Sequence, residues 1–417
     1  MDKLSVISEY KMKSPETKMI VNWWQLFPSH KIALEPNYQK EIFGKAIKKA
    51  GDYSALEKKI NVPRKAISAC YRLKRNPTIK YLIKIANYVE IPNNEINNKI
   101  IEIASLKNPK LPFDLNNPEG AEIIAAFLSD GHIPGHPSKN PMYCAYEKEL
   151  HLRLISLCNE IFGDFKIKIT SGNKSLLSRY PCPIGSALEL AGVPRGNKGK
   201  SNSFLPIAIL NGNKSVQTAY LRRVFDDEGH VCFSKSKKAI CLSRSMDCSA
   251  KYSPVNLKSQ KWLSGFPDIP TNNLILGEYF LLKELGIDAK LYPEGLYRSI
   301  NKKTSAKWRI QIAQQDNLKL FAEKIGFNHT KKKTKLSQAL KSYKRRKSSH
   351  GYTEKIIWRY VLQLSKRKNF ITFEDIGKKL VLLNMTYDFA GTFLRKFLKD
   401  KRIRKIKRGV YVVNGDS

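Results

Sequence analysis

The sequence predicts an α+β fold: two pseudo-symmetric αββαββα halves with antiparallel sheets, flanked by mostly helical N-terminal and C-terminal domains. Three observations predict it. An apolar helix ending in an acid and then Gly occurs twice, as Glu122-Ile-Ile-Ala-Ala-Phe-Leu-Ser-Asp130-Gly131 and as Tyr220-Leu-Arg-Arg-Val-Phe-Asp226-Asp227-Glu228-Gly229. The same order of helical and alternating patterns follows each copy, and such self-similarity is a stronger fold signal than one motif. The net charge is +39, with 75 Lys and Arg against 36 Asp and Glu.

A chain of 417 residues has room for two or three domains and a buried core. The expected boundaries are 1–110, 115–345 (halves 115–212 and 213–345) and 350–417. So strong a positive field attracts polyanions and makes nucleic-acid binding hard to avoid. No run approaches the ~18 apolar residues of a membrane span. Met1-Asp-Lys-Leu-Ser5 lacks the basic-then-apolar order of a signal peptide. Seven scattered Cys without Cys-x-x-Cys suggest reduced thiols. The expected location is cytoplasmic, on the nucleoid if the source is prokaryotic.

Residues 1–40 yield no function, though Trp23, Trp24 and Phe27 suit packing on a neighbour. From residue 41 to 92 the pattern is clearer. Ser54–Ile60 reads as a short amphipathic helix, Asn61-Val62 as a turn in which Asn takes positive φ, and Pro63 opens the next helix. In Arg64–Leu73, Ile67, Cys70 and Tyr71 share one side, while Arg64, Lys65, Ser68 and Arg72 fall mainly on the other. Thr78 caps a further helix to Val89. Helix, tight turn and helix with a basic face read as a DNA-binding helix-turn-helix of the phage-repressor type, with Asn61 where Gly is usual. Lys107–Pro118 holds three Pro and reads as a linker.

In the first half, strands are expected at Met142–Tyr146, Phe165–Ile169 and Ser175–Tyr180, and helices at Glu149–Phe162 and Ser186–Ala191. In the second, a helix spans 217–228. Strands follow at Val231–Ser236, Ala239–Ser243, Ala289–Tyr292 and Ser305–Ile312, with helices at Leu274–Leu285 and Leu318–Ile325. The second half carries about 25 extra residues, assigned to a loop at Met246–Asn272. Period two sets Lys307, Arg309 and Gln311 opposite Trp308, Ile310 and Ile312, and Lys166 and Lys168 opposite Phe165, Ile167 and Ile169. Lys235 and Lys237 alternate with Ser234 and Ser236. Strands with such a basic and amide face suit a DNA groove, where Arg reads guanine and Gln reads adenine. Arg195 and Lys198, in the loop Gly192–Lys198, read as a phosphate-contacting pair or as a solvated loop. Gly199-Lys-Ser201 is no nucleotide loop, because Pro194 stands where its first Gly belongs. His132 and His136 are separated by Pro134 and Gly135, and no second pair has zinc spacing. Lys331–Lys347 reads as a basic linker or phosphate stripe. Three helices (Ile356–Leu364, Phe373–Leu380, Tyr387–Leu398) and a basic ribbon at Ile403–Val413 resemble a winged helix that binds DNA or protein.

An acid at a helix C-terminus faces the negative end of the dipole, at a cost of roughly 0.3–1 kcal/mol. Two such ends suggest acids that share a divalent cation such as magnesium, a hard ion often held by one or two carboxylates and substrate phosphates. These residues resemble the LAGLIDADG homing endonucleases, in the monomeric two-motif form. The resemblance runs from about 115 to 345 and places catalytic acids at Asp130 and Glu228, Gly at Gly131 and Gly229, and a sixth-position match at Asp226. Ser129 and Asp227 depart from the usual Ala. It implies a site-specific double-strand DNA endonuclease with Mg2+ or Mn2+ on Asp130 and Glu228, and double-stranded DNA as the partner. Lys307 and Arg179 are the basic candidates beside the acids. A DNA-binding regulator or RNA maturase on the same scaffold is the alternative. An intein is disfavoured, since neither end carries a splice-junction nucleophile.

Overall fold

The computed structural model describes residues 3–14, 16–137, 139–172, 175–234, 237–250, 270–298, 303–343, 350–383 and 385–414. Helix α1 (Lys3–Lys13), strands β1 (Ile20–Val21) and β2 (Ile32–Leu34) and helices α2 (Pro36–Ala50), α3 (Tyr53–Ile60), α4 (Arg64–Tyr71) and α5 (Ile79–Tyr88) come first. The turn after α3 forms as its sequence dictates. Asn61 takes φ 50° and ψ 56°, the left-handed region that Asn tolerates, and its N–H closes on Glu57. Thr78 caps α5 through its hydroxyl. Leu56, Ile67, Cys70 and Leu82 form the core of these helices. Tyr71, expected inside, is exposed at the edge and stacks on Tyr53. Trp23 is fully buried, its indole N–H donating to the Asn93 carbonyl. Strands β3 (Ile100–Ile103), β4 (Leu106–Lys107) and β5 (Phe113–Asp114) close this region, with β2-β3-β4 in one sheet and β5 paired to β1.

The first half holds α6 (Pro118–Leu128), β6 (Gly131–His132), β7 (Met142–Ala145), α7 (Lys148–Phe162), β8 (Thr170–Ser171), β9 (Leu176–Arg179), α8 (Cys182–Leu190) and short helices α9 (Lys198–Ser201) and α10 (Ile207–Leu210). The second holds α11 (Lys214–Asp227), β10 (Gly229–Phe233), β11 (Lys238–Asp247), α12 (Asn273–Glu284), β12 (Lys290–Arg298), β13 (Thr304–Ile312) and α13 (Gln315–Lys324). The two sheets run β6-β7-β9-β8 and β10-β11-β13-β12, so both follow the strand order first, second, fourth, third. The repeat read from the sequence is therefore a repeat of topology. The fold is α+β with antiparallel sheets.

Both acidic helices start in the same way. The Asn117 side chain accepts the Gly120 N–H, and the Asn213 side chain accepts those of Ser215 and Val216. Helix α6 is buried from Gly120 to Leu128, as expected of a helix apolar on all sides. Ala125 and Ala126 are wholly inaccessible, and α6 packs along α11.

The glycines after the acids have a reason the sequence reading missed. Neither has the positive φ expected of a helix stop; each begins a strand instead. A Cβ on Gly131 would lie 2.5 Å from Phe127 Cα, and one on Gly229 would lie 2.6 Å from the Phe225 carbonyl oxygen. The chain turns back so tightly over the helix that only hydrogen fits.

Two further expectations are corrected. Phe165–Ile169 is extended but joins no ladder, and only Thr170 and Ser171 pair with β9. The Phe165 N–H is already taken by the Asn159 side chain, and Asp164 bridges to Lys107. The basic stretch from Lys331 is mostly helix α14 (Thr330–Lys341), which buries Leu336 and Ala339 three residues apart. Most of the extra segment in the second half, 251–269, lies outside the described residues.

The chain divides into two compact units, one mostly within residues 1–330 and the other mostly within 331–417. The smaller contains α15 (His350–Lys368), β14 (Ile371–Thr372), α16 (Phe373–Leu382), α17 (Ala390–Lys399), β15 (Ile403–Lys407) and β16 (Val410–Val413). Its sheet runs β14-β16-β15 around a core that includes Ile357, Ile376, Phe393 and Phe397. Thr372 and Asp375 cap α16 reciprocally. Among the described residues no helix is long and apolar enough to cross a membrane.

Gly131→Ala and Gly229→Ala are each expected to destabilise the fold by about 1–3 kcal/mol through overpacking, read from urea unfolding; unchanged midpoints would show that the turns have room.

Candidate functional site

Helix α6 ends at Ser129 and α11 at Glu228, so Asp130 and Glu228 both leave helix C-termini. Their carboxylates sense each other. Burial, with the charges of Asp227 and Glu228, pushes the Asp130 carboxyl up from 3.8 to about 7, against the pull of Lys198 and Arg223. Arg244 touches both helix ends, 3.2 Å from Ser129 Oγ and 3.7 Å from Glu228, so the two tips meet. The Glu228 side chain keeps 31% of its surface open.

Around them lies a charged frame. Arg223 is completely buried on α11. Its guanidinium bonds Asp227 at 3.1 Å, lies 4.0 Å from Glu122 of α6 and stacks over the Tyr143 ring at 4.8 Å. Tyr143 donates its hydroxyl to Asp227 at 2.7 Å, and Arg153 holds Glu122 with two bonds of 2.5 Å. On β11, Arg244 forms a bidentate pair with Glu278, at 2.6 and 2.9 Å. Its Nη2 also donates to Ser129 Oγ at 3.2 Å, while Nη1 reaches the Leu128 carbonyl at 3.5 Å and lies 3.7 Å from Glu228. Arg223 and Arg153 balance Asp227 and Glu122; Arg244 balances Glu278. Glu228 shares Arg244 at 3.7 Å, and the Lys198 charge acts on both Asp130 and Glu228.

Lys198 is turned inward. Its amine donates into a cluster of carbonyls at the end of α6, from Phe127 (3.1 Å), Leu128 (3.3 Å), Ser129 and Gly131 (2.5 Å). A cation there answers the negative end of the helix dipole. Burial, reinforced by Arg244, lowers its pKa from 10.5 to about 8. The loop reading of Lys198 and Arg195 as an outward phosphate-contacting pair is corrected accordingly. Arg195 bonds Glu189 at 2.6 Å and the Pro134 carbonyl at 3.2 Å. A cavity of about 310 Å³ opens beside Lys198, Glu228, Ser243, Arg244 and Ser245.

The other sequence-selected residues scatter. Asp226, although next to Asp227, accepts the backbone N–H groups of Asn328 (3.1 Å) and His329 (3.0 Å) and is a structural acid. Lys307 and Arg309 both pair with Glu294, and Gln311 accepts the Tyr292 hydroxyl at 2.9 Å. The cationic side chains that act most strongly on Asp130 are Lys198 and Arg223. Arg179 stays exposed on β9, opposite Met142. Lys166 and Lys168 are exposed on the unpaired extended segment, and Lys237 is exposed where the hairpin returns. Lys235 lies outside the described residues. Arg64, Lys65 and Arg72 are exposed on and just after α4, and Ser68 is half-buried. Arg223, Arg244 and Glu278 were missed, although Arg244 and Glu278 each stand as a lone charge in an apolar strand or helix pattern.

The repeated topology and the meeting of two acidic helix tips define a duplicated α+β scaffold whose junction concentrates carboxylates. Residues 215–326 match the family model of the LAGLIDADG-like domain. It is 25% identical over 231 residues to the tRNA-splicing ligase RtcB of Pyrococcus furiosus, covering 51% of this chain and only 21% of that relative. Among solved structures it is similar to full-length DUF199/WhiA from Thermatoga maritima (TM-score 0.35, 11% identity, 70% of this chain and 93% of that one). It is also similar to I-DmoI in complex with DNA and Mn (TM-score 0.32, 13% identity, 51% of this chain and 98% of that one).

Because the Asp130 carboxyl is raised, the folded state holds a proton that the unfolded chain has lost between pH 3.8 and about 7. Its contribution to stability is fully present below pH 3.8 and is lost as pH rises through about 7. With chelator present, Asp130→Asn is expected to be more stable than the parent above pH 7, the gain vanishing towards pH 4. A pH-independent difference in urea unfolding would contradict this.

Proposed function

We propose that the protein is a magnesium- or manganese-dependent DNA endonuclease of the homing type, acting as a monomer because one chain supplies both acids. The observation that carries this reading is the charge pattern at the helix tips. Two arginine clusters, Arg223 and Arg153 with Asp227 and Glu122, and Arg244 with Glu278, are largely matched by their own acids, leaving Asp130 and Glu228 short of positive charge. Hard carboxylate oxygens in such a deficit fit a divalent ion. When bound, that ion supplies Lewis-acid stabilisation of developing negative charge in phosphodiester hydrolysis.

The chain's own residues do the rest. Asp130 and Glu228 hold the ion, one from each half. Arg244 sits against Glu228 and steadies it from within the sheet. Lys198, with its amine near neutrality, can keep or release a proton at Nζ beside the same acids. The outer face of the second sheet, with Arg309 and Gln311, and the exposed segments that carry Lys166, Lys168 and Lys237 take the duplex. We assign Lys307 to this face. Arg179 remains a basic candidate on β9. The proposed organisation is an N-terminal DNA-binding region (1–110) with its helix-turn-helix on α3 and α4, the duplicated core (115–345), and a winged-helix-like region (350–417). Tethered contacts of this kind lengthen the footprint and raise affinity without new chemistry.

Plasmid libraries carrying random inserts, incubated with Mg2+, are expected to yield cut products that vanish with chelator. Asp130→Asn and Glu228→Gln should reduce cutting to background while leaving duplex binding intact. Binding without cutting by the parent protein would identify a non-cleaving DNA-binding protein instead.

Arg64→Ala and Arg72→Ala should each weaken duplex binding and lower the salt slope, log Kd against log salt, by about one. An unchanged slope in gel-shift titrations would remove α4 from the interface.

A further inference from the structure

We propose that the β10–β11 hairpin carries a second metal site, specific for a zinc-class transition ion and formed by His230, Cys232 and Cys241. The ligand atoms of these three side chains all lie within 4.8 Å of one another. The hairpin register produces this cluster. The Ser234 N–H donates to the Lys237 carbonyl at 2.9 Å, so the strands return with 234 facing 237. The same register puts His230 opposite Cys241 and Cys232 opposite Ala239. Residues two apart on one strand share a face, and cross-strand partners share it with them. All three donors therefore project to one side of the hairpin.

The donor chemistry selects the ion. Two thiols and an imidazole are soft to borderline ligands, suited to zinc and poor for magnesium. Zinc–sulfur bonds of about 2.3 Å set neighbouring ligand atoms about 3.8 Å apart in a tetrahedron. The donors need to close by no more than about 1 Å, which side-chain torsions can supply. His230 is exposed, Cys232 half-buried and Cys241 buried, so an ion can enter from solvent and keep water at its fourth position. Neither Cys232 nor Cys241 is in a disulfide.

This site differs from the pair Asp130 and Glu228 in ligand type and in the ion it takes. The linear sequence hid it. A zinc search by pairs looks for Cys-x-x-Cys or paired His, whereas here a His-x-Cys unit meets a lone Cys across a turn.

The test uses the reduced, metal-stripped full chain titrated with Co(II). The expected result is one tightly held ion per chain, with thiolate-to-cobalt charge-transfer absorption and the visible bands of tetrahedral cobalt, all displaced by zinc. Cys232→Ser should remove the charge-transfer band or weaken binding at least tenfold, and the exposed His230→Ala should weaken it similarly. Cys144→Ser and Asp130→Asn should leave the band unchanged. Circular dichroism of Cys232→Ser and His230→Ala checks that both variants are folded, and neither removes a fully buried side chain. Absence of the band in the parent, or its survival in Cys232→Ser, would overturn the proposal. Neither result bears on whether Asp130 and Glu228 support cleavage.

Discussion

The interior of this molecule depends on the burial of one arginine. Arg223 lies on the inner face of α11, where the first half has small alanines, and it is wholly cut off from water. Moving a guanidinium to such a place costs several kcal/mol unless carboxylates and acceptors surround it. Glu122, Asp227 and the Tyr143 face do so, and Arg153 in turn holds Glu122. The pair of helices therefore meets through a polar lattice, in which Arg223 Nη2 has no acceptor among the described residues, as well as through Ala125 and Ala126. Such a lattice fixes the register of the two helices more strictly than interchangeable methyl groups would. The position of Asp130 relative to Glu228 follows from that register.

The same constraint explains why the acids next to the site differ in role. Asp226, Asp227 and Glu228 are consecutive, yet they point to different jobs. Asp226 accepts two backbone N–H groups near the end of α13, Asp227 completes the arginine lattice, and Glu228 remains partly open. A helix turns about 100° per residue, so three neighbouring side chains sample three environments. What distinguishes them is which neighbour has already claimed the charge.

Much of the fold was legible in the sequence because it rests on local rules. The two acidic helix ends, the Asn61 turn, the alternation in β13 and the final ribbon all appear where periodicity and turn residues place them. The failures were non-local. Phe165–Ile169 alternates like a strand but lacks a partner, because pairing depends on what lies alongside. Lys198 reads as a loop cation and becomes a helix cap, because the loop folds back over α6. Arg244 and Glu278 lie 34 residues apart, and no spacing rule joins them before the sheet and α12 are assembled. The two glycines show the same limit: crowding by Phe127 and Phe225, which no local pattern reveals, demands them.

That crowding has a consequence for how the chain can change over generations. A site that tolerates only a hydrogen atom offers drift no small steps, since every other side chain overlaps the helix below. The acid just before it can be exchanged for a neutral residue without disturbing the main-chain path. A lineage that ceased to need the acids would be expected to erase them early and keep both glycines long afterwards, as a fossil imprint of the lost chemistry.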